Sequence, residues 1–263
     1  MPRIEGLDYE EHGGGTQGPP LVFLHGAGGN RLHWPPGVRR LEGVHTFAVD
    51  LPGHGKSPAG EEVAIEDFAG RVVAWQRRQG IAGTVLVGHS MGSAIALTAA
   101  LSEPETLAGL VLIGAGPRLP VNPVLLEQTA RAETFPDTVE KILRWSFAPE
   151  VSPRLLAQAR RSMLAAGPAI LQRDLQACDS FDVAHRLAEL RLPTLIIVGS
   201  QDRMTPPRLS EALHQGIGGS RLQTVEGAGH MVMLERPEPV GRLLHGFIDE
   251  VSARRRSVRA WGV

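Results

Sequence analysis

The sequence predicts an α/β chain: a mostly parallel twisted sheet flanked by helices, with one helical insertion. Three observations carry this expectation. Short apolar runs alternate with helix-period stretches over most of the 263 residues, the pattern of a sheet covered on both faces. Between 117 and 187 the alternation stops, and only helical patterns separated by prolines remain. The run Thr84-Val85-Leu86-Val87 leads through Gly88-His89-Ser90-Met91-Gly92 into the alanine-rich stretch Ser93–Leu101, which reads as strand, tight turn and helix.

The element assignments follow from apolar period and turn chemistry. Strands are expected at Leu21–His25, His45–Asp50, Thr84–Gly88, Leu107–Gly114, Thr194–Gly199 and Arg221–Glu226. Leu7–Glu11 reads as an antiparallel edge strand. Helices are expected at Ala64–Gln79, Ser90–Leu101, Pro207–Leu213 and Pro239–Val251, where apolar residues recur at helical spacing.

The insertion contains helical patterns near Val124–Thr134, Thr138–Ser146, Pro153–Ala166 and Pro168–Ala177. Structureless connections longer than about 15 residues are uncommon, so this stretch must have structure of its own. It directly follows the Leu107–Gly114 strand, which puts it over the C-terminal edge of the sheet, where open α/β sheets bind ligands. The chain therefore divides into a core domain, 1–116 with 188–263, and a helical cap or lid, 117–187.

Bulk composition excludes several classes. A net charge of −1 gives no reason to expect nucleic acid or an anionic membrane as partner. The single cysteine, Cys178, rules out an intramolecular disulfide and reads as a small, partly buried residue. No apolar run reaches the roughly 18 residues of a membrane span, and Met1–Gly6 has no signal-peptide core, so a cytoplasmic protein is expected. Arg254-Arg255-Arg256 reads as the solvated end of the last helix followed by a frayed tail. No metal-ligand spacing is visible, so neither metal nor cofactor is expected.

Gly88–Gly92 has the G-x-S-x-G form of a nucleophile elbow, a turn so tight that the Ser90 hydroxyl projects outward. A Cβ at Gly88 or Gly92 would crowd the neighbouring strand or helix. The helix N-terminus beneath the serine favours developing negative charge.

A serine hydroxyl needs a base to remove its proton, and the base needs a carboxylate to hold its tautomer. In this arrangement the chain order is Ser, then Asp or Glu, then His. Asp202 lies just beyond the Thr194–Gly199 strand, before Pro206-Pro207. His230 follows the last strand in Gly227-Ala228-Gly229-His230, among small residues that let a loop fold closely over the elbow. Asp179 and Asp182 compete with Asp202 but fall in or near the cap, and Glu226 precedes the histidine by too little chain.

Acyl transfer also requires donors for the oxyanion. Met91 N–H, directly after the nucleophile, is one. The other is assigned to Ala27 N–H, in His25-Gly26-Ala27-Gly28-Gly29-Asn30 after the first central strand, where glycines allow close backbone approach. The rival reading, a phosphate-binding turn, lacks Gly-Lys-Ser/Thr or a full G-x-G-x-x-G.

Taken in order, His25-Gly26, Asp50-Leu51-Pro52-Gly53-His54-Gly55-Lys56-Ser57, Gly88–Gly92, Gly199–Asp202 and Gly229-His230 resemble the α/β-hydrolase fold superfamily over nearly the whole chain. Within it the chain resembles small bacterial serine carboxylesterases with a helical cap, in a branch that also holds cofactor-free haloperoxidases. A serine at position 90 excludes the haloalkane dehalogenases, which need a carboxylate there. The resemblance makes Asp50 and His54 scaffold residues.

It implies that Ser90 attacks an ester carbonyl, with His230 as base, Asp202 orienting it, and Met91 and Ala27 amides holding the oxyanion. The expected partner is a small-molecule ester of short to medium acyl chain, with Met91, Leu119 and Met231 lining its pocket. The chain is expected as a monomer or homodimer. The same triad serves C–C bond hydrolysis, acyl transfer and perhydrolysis. A ligand-binding signalling protein with a vestigial triad is an alternative of another class.

Overall fold

The computed structural model describes residues 6–14 and 18–260. Its seven strands are β1 (Asp8–His12), β2 (Leu21–Leu24), β3 (Thr46–Asp50), β4 (Thr84–His89), β5 (Leu107–Ile113), β6 (Thr194–Gly199) and β7 (Arg221–Val225). They form one sheet in the order β1-β3-β2-β4-β5-β6-β7. β1 pairs antiparallel with β3, and every other pairing is parallel.

Successive residues of a strand face opposite sides of the sheet. Val22, Leu24, Leu86, Leu110, Leu112 and Ile196 belong to one core cluster. Their neighbours Leu21, Phe23, Val85, Val87, Val111, Ile113, Leu195 and Ile197 belong to the other. Helices α2 (Ile65–Arg78) and α3 (Met91–Ser102) cover the first face. Short α1 (Pro36–Arg39) and the C-terminal helix cover the second, through Val38, Val240, Leu244 and Phe247.

Between β5 and β6 come α4 (Pro123–Thr129), α5 (Phe135–Ser146), α6 (Pro153–Ala166) and α7 (Pro168–Ser180). α8 (Pro207–Gly216) follows β6, and α9 (Val232–Glu235) and α10 (Pro237–Ala260) close the chain. Proline in the first turn starts most of these helices, where its missing N–H costs nothing. Asn122 accepts from Val124 N–H at 2.9 Å and Ser152 from Leu155 N–H at 3.2 Å, so both cap free amides.

The structure corrects four of the expected helix boundaries. The first helix of the insertion stops at Thr129 rather than Thr134, and the next begins at Phe135 because Pro136 sits in its first turn instead of ending a helix. The last helix starts at Pro237 and runs to Ala260, beyond the expected Val251. Arg254 pairs with Glu250 at 2.8 Å and Arg255 donates to Gly83 O at 2.8 Å, so the arginine cluster is helical. The expected frayed tail beyond 260, and most of the N-terminal stretch Met1–Gly6, lie outside the described residues.

Candidate active site

Because the central strands are parallel, the residues following β2, β4, β6 and β7 meet at one edge of the sheet. Ser90 stands between β4 and α3 with φ 52° and ψ −116°. Among the described residues it is the only non-glycine with positive φ, a conformation costing about 1–3 kcal/mol. Ser90 N–H donates to Ile113 O at 2.9 Å and Ser90 O accepts from Ser93 N–H at 2.8 Å, which holds the turn. A Cβ at Gly92 would collide with the Leu24 carbonyl, and one at Gly88 with the Gly92 carbonyl.

Asp202 and His230, each beyond its own strand, come together in space. His230 Nδ1 lies 2.9 Å from Asp202 Oδ2. Asp202 Oδ1 accepts from the amides of Met204 at 2.9 Å and Thr205 at 2.8 Å. Burial pushes the Asp202 carboxyl up, but the His230 charge and the hydrogen bonds from His230 and Thr205 outweigh it and hold the group below its ordinary value. That is the behaviour of a carboxylate committed to a partner.

Ser90 and His230 line one cavity of about 80 Å³. Its other walls are largely apolar and include Leu119, Ile142, Phe147, Met163, Leu171 and Met231. Among the described residues, no Asp, Glu, Lys or Arg lines it. Two further histidines do, His33 and His89, and both are buried. Burial lowers the His33 imidazole to about 4 and drives His89 well below its usual value, so both rings are neutral near pH 7.

The Gly26–Gly29 turn borders the same cavity through Gly26 and Ala27. His25 fixes it. Its Nε2 accepts from Leu51 N–H at 3.1 Å, so Nδ1 carries the hydrogen and donates to Gly26 O at 2.9 Å. Gly29 N–H donates to the same carbonyl at 3.1 Å. In a planar trans peptide the following N–H points opposite the carbonyl, so this clamp sets the direction of Ala27 N–H. Met91 N–H lies in the first turn of α3, where no helix carbonyl reaches it.

One expectation for the pocket is corrected. Leu119 and Met231 line the cavity, but the Met91 side chain is buried in the core on the α2–α3 face of the sheet. Ser90 takes the outward position at the elbow, so the next side chain turns inward and only the Met91 backbone remains at the site. The competing carboxylates are occupied elsewhere: Asp179 Oδ1 accepts from Val121 N–H at 2.9 Å, Asp182 pairs with Arg118 at 2.9 Å, and Glu226 is exposed. Cys178 borders the cavity, but burial, then the charges of Asp174 and Asp179, push its thiol far up, so it is not a thiolate nucleophile. Among the described residues, no group of three or more His, Cys, Asp or Glu could hold a metal ion, and no helix is long and apolar enough to cross a membrane.

Residues 21–243 match the model of the alpha/beta hydrolase family. The chain belongs to the alpha/beta hydrolase family. It is 29% identical to a pimeloyl-[acyl-carrier protein] methyl ester esterase of Neisseria meningitidis serogroup C, over 88% of this chain and 94% of that protein. It is 28% identical to a 2-hydroxy-6-oxo-6-phenylhexa-2,4-dienoate hydrolase of Comamonas testosteroni, over 93% of this chain and 91% of that one. An esterase structure from Exiguobacterium antarcticum superposes with a TM-score of 0.85 at 25% identity, covering 92% of this chain and 95% of the other. These likenesses make the hydrolase an enzyme of the carboxylesterase type.

Four residues of the hydrolase site escaped the sequence reading. His89, the variable position of G-x-S-x-G, donates through Nε2 to His230 O at 3.0 Å. Thr205 Oγ1 donates to Asp202 Oδ2 at 2.8 Å and lies 3.1 Å from His230 Nδ1. Glu235 accepts from Gly229 N–H at 3.0 Å and from Ala148 N–H at 2.9 Å, joining the His230 loop to the end of α5. Burial raises the Glu235 carboxyl in spite of those amides. Asp174, on α7, accepts from Gly28 N–H at 2.9 Å. Thr205 was within reach of a sequence argument, since a hydroxyl three residues after a candidate aspartate is a usual turn partner. The His89 and Asp174 contacts, and that of Glu235 with Ala148, act across long stretches of chain and leave no local signal.

Proposed function

We propose that this hydrolase cleaves uncharged carboxylic esters through a covalent acyl-enzyme formed on Ser90. The observation that carries the reading is the shared cavity: an outward-turned serine on a strained elbow and a histidine paired with a buried aspartate open onto the same apolar space. With Nδ1 committed to Asp202, Nε2 is the nitrogen of His230 left to take the Ser90 proton. The Ser90 oxygen adds to the ester carbonyl, and the oxyanion is held by Ala27 and Met91 amides. His230 returns the proton to the departing alcohol. Water, deprotonated by the same imidazole, then releases the acid. The segment 117–187 serves as the cap, since Leu119, Ile142, Phe147, Met163 and Leu171 supply most of the apolar wall.

The lining also supports a substrate preference. A carboxylate in this cavity would lose its hydration with no cation to replace it, and the wall histidines are neutral. That favours esters with uncharged acyl chains over a dienoate such as the Comamonas relative is named for. A methyl ester at the end of an apolar chain, the kind of group in the name of the Neisseria relative, suits the same wall.

A panel of p-nitrophenyl esters from acetyl to dodecanoyl, with fluorophosphonate labelling, tests the proposal. Turnover of the short to medium esters is expected, with Ser90→Ala losing roughly a thousandfold or more in kcat and all labelling. Near-normal turnover by Ser90→Ala would overturn the assignment. Labelling of the wild type without turnover would point instead to a ligand-binding protein.

A further inference from the structure

The structure places a buried polar cluster where α7 meets the loops at the sheet edge. Asp174 is completely buried. Its Oδ2 accepts from Gly28 N–H at 2.9 Å and lies 2.7 Å from His54 Nε2. Its Oδ1 takes the Arg173 guanidinium at 2.9 Å. His54 Nδ1 is 3.1 Å from Pro52 O, and Arg173 donates to that same carbonyl at 2.9 Å. Both His54 nitrogens therefore face oxygen. With the Asp174 carboxylate fully buried and the Arg173 guanidinium largely so, the cluster holds an ion pair inside the protein. Burying two charges is expensive and adds little net stability, so the cluster calls for a reason beyond holding the fold together.

Gly28 supplies that reason. It follows Ala27 in the turn and has φ +61°, a conformation open to glycine. The peptide before Ala27 is clamped through Gly26 O by His25 and Gly29. The peptide after Ala27 is clamped through Gly28 N–H by Asp174. Both planes flanking Ala27 are thus held, one from the core and one from α7. Released from Asp174, the Ala27–Gly28 peptide is free to rotate about the permissive Gly28, which leaves the Gly26–Ala27 peptide that carries the Ala27 N–H braced from one side only.

We propose that Asp174 is a positioning residue for the oxyanion donor Ala27, and that His54 holds the carboxylate to that task. α7 also presents Leu171, Leu175 and Cys178 to the cavity. The helix that touches the acyl chain therefore also sets the oxyanion turn, and seating the chain and stabilising the tetrahedral intermediate are mechanically joined. The inference rests on the acyl-transfer reading of Ser90.

The test compares wild type with Asp174→Ala, Asp174→Asn and the double variant Asp174→Leu/His54→Leu, which replaces the His54–Asp174 pair with apolar bulk, with circular dichroism checking that each variant is folded. Steady-state kinetics on p-nitrophenyl butyrate, inhibition by an alkyl trifluoromethyl ketone and hydrogen exchange of the Gly28 amide are read together. Asp174→Ala and the double variant should lose about tenfold to a hundredfold in kcat, with KM within about threefold. Ketone affinity should fall in parallel, and Gly28 exchange should accelerate. Asp174→Asn, whose amide oxygen still accepts from Gly28, should recover most of the kcat and the protection. A folded double variant with wild-type kcat, a change confined to KM, or unaltered Gly28 exchange would overturn the proposal. A wild type that neither turns over esters nor labels at Ser90 would instead refute the acyl-transfer reading, while the exchange measurement still decides whether Asp174 braces Gly28.

Discussion

His89 Nε2 donates to the main-chain carbonyl of His230 across 3.0 Å, tying the elbow after β4 to the loop after β7. Their rings lie 4.6 Å apart between centroids. The residue beside Ser90 thus fixes the backbone of His230, the proposed base. Burial keeps His89 neutral, so this bond persists through the working pH range. His89→Phe keeps the ring and loses the donor. It should lower kcat by about tenfold, the worth of one buried hydrogen bond, with KM nearly unchanged. Unaltered kcat in a folded His89→Phe protein would show that the His230 loop holds itself.

Asp202→Asn tests the carboxylate while preserving shape. An amide nitrogen facing Nδ1 would favour the opposite tautomer, leaving no acceptor at Nε2 for the serine proton. A loss of roughly a thousandfold to ten-thousandfold in kcat is expected at neutral pH, with ester binding retained. Circular dichroism should be native, and the loss should be read against that control. A variant with more than a tenth of wild-type kcat would remove Asp202 from the site.

Acid should destabilise the fold before it protonates Asp202. His25 and His89 are driven well below the usual imidazole value by burial, and His33 to about 4. A depressed histidine contributes stability that is fully present above its unfolded value near 6.5 and is lost as pH falls toward the folded one, because the unfolded chain takes protons the folded chain refuses. His33 alone should cost about 2 kcal/mol between pH 7 and pH 5. Asp50 and Glu235, raised by burial, act in the opposite sense: their raised values favour the folded state as pH falls through them, offsetting part of the loss. Thermal melts should show Tm falling from pH 7 to pH 5, less steeply in His33→Phe. A Tm that stays flat over that interval would contradict the buried, neutral state of these rings.

The sequence by itself determined the elements and their order. Alternation along the strands sorts Leu86 from Val85 and Val87 onto opposite faces, and that period is local. The residues proposed for catalysis, Ser90, Asp202 and His230, were singled out for the same reason. Each follows a strand whose end can be read from its own neighbours, and parallel pairing brings strand ends to one edge. The Met91 side chain was misread because the turn, which decides where it points, reverses direction within a few residues.

Only the tertiary structure decided what joins these parts. Asp174 meets Gly28 and His54, Glu235 meets Ala148, and His89 meets His230, each across many residues of intervening chain. A buried polar group must find a partner, but which partner depends on how α4–α7 settle on the sheet edge. The chemistry proposed for Ser90 rests on short stretches of sequence. The shape of the cavity and the bracing of the Gly26–Gly29 turn exist only once α4–α7 are in place.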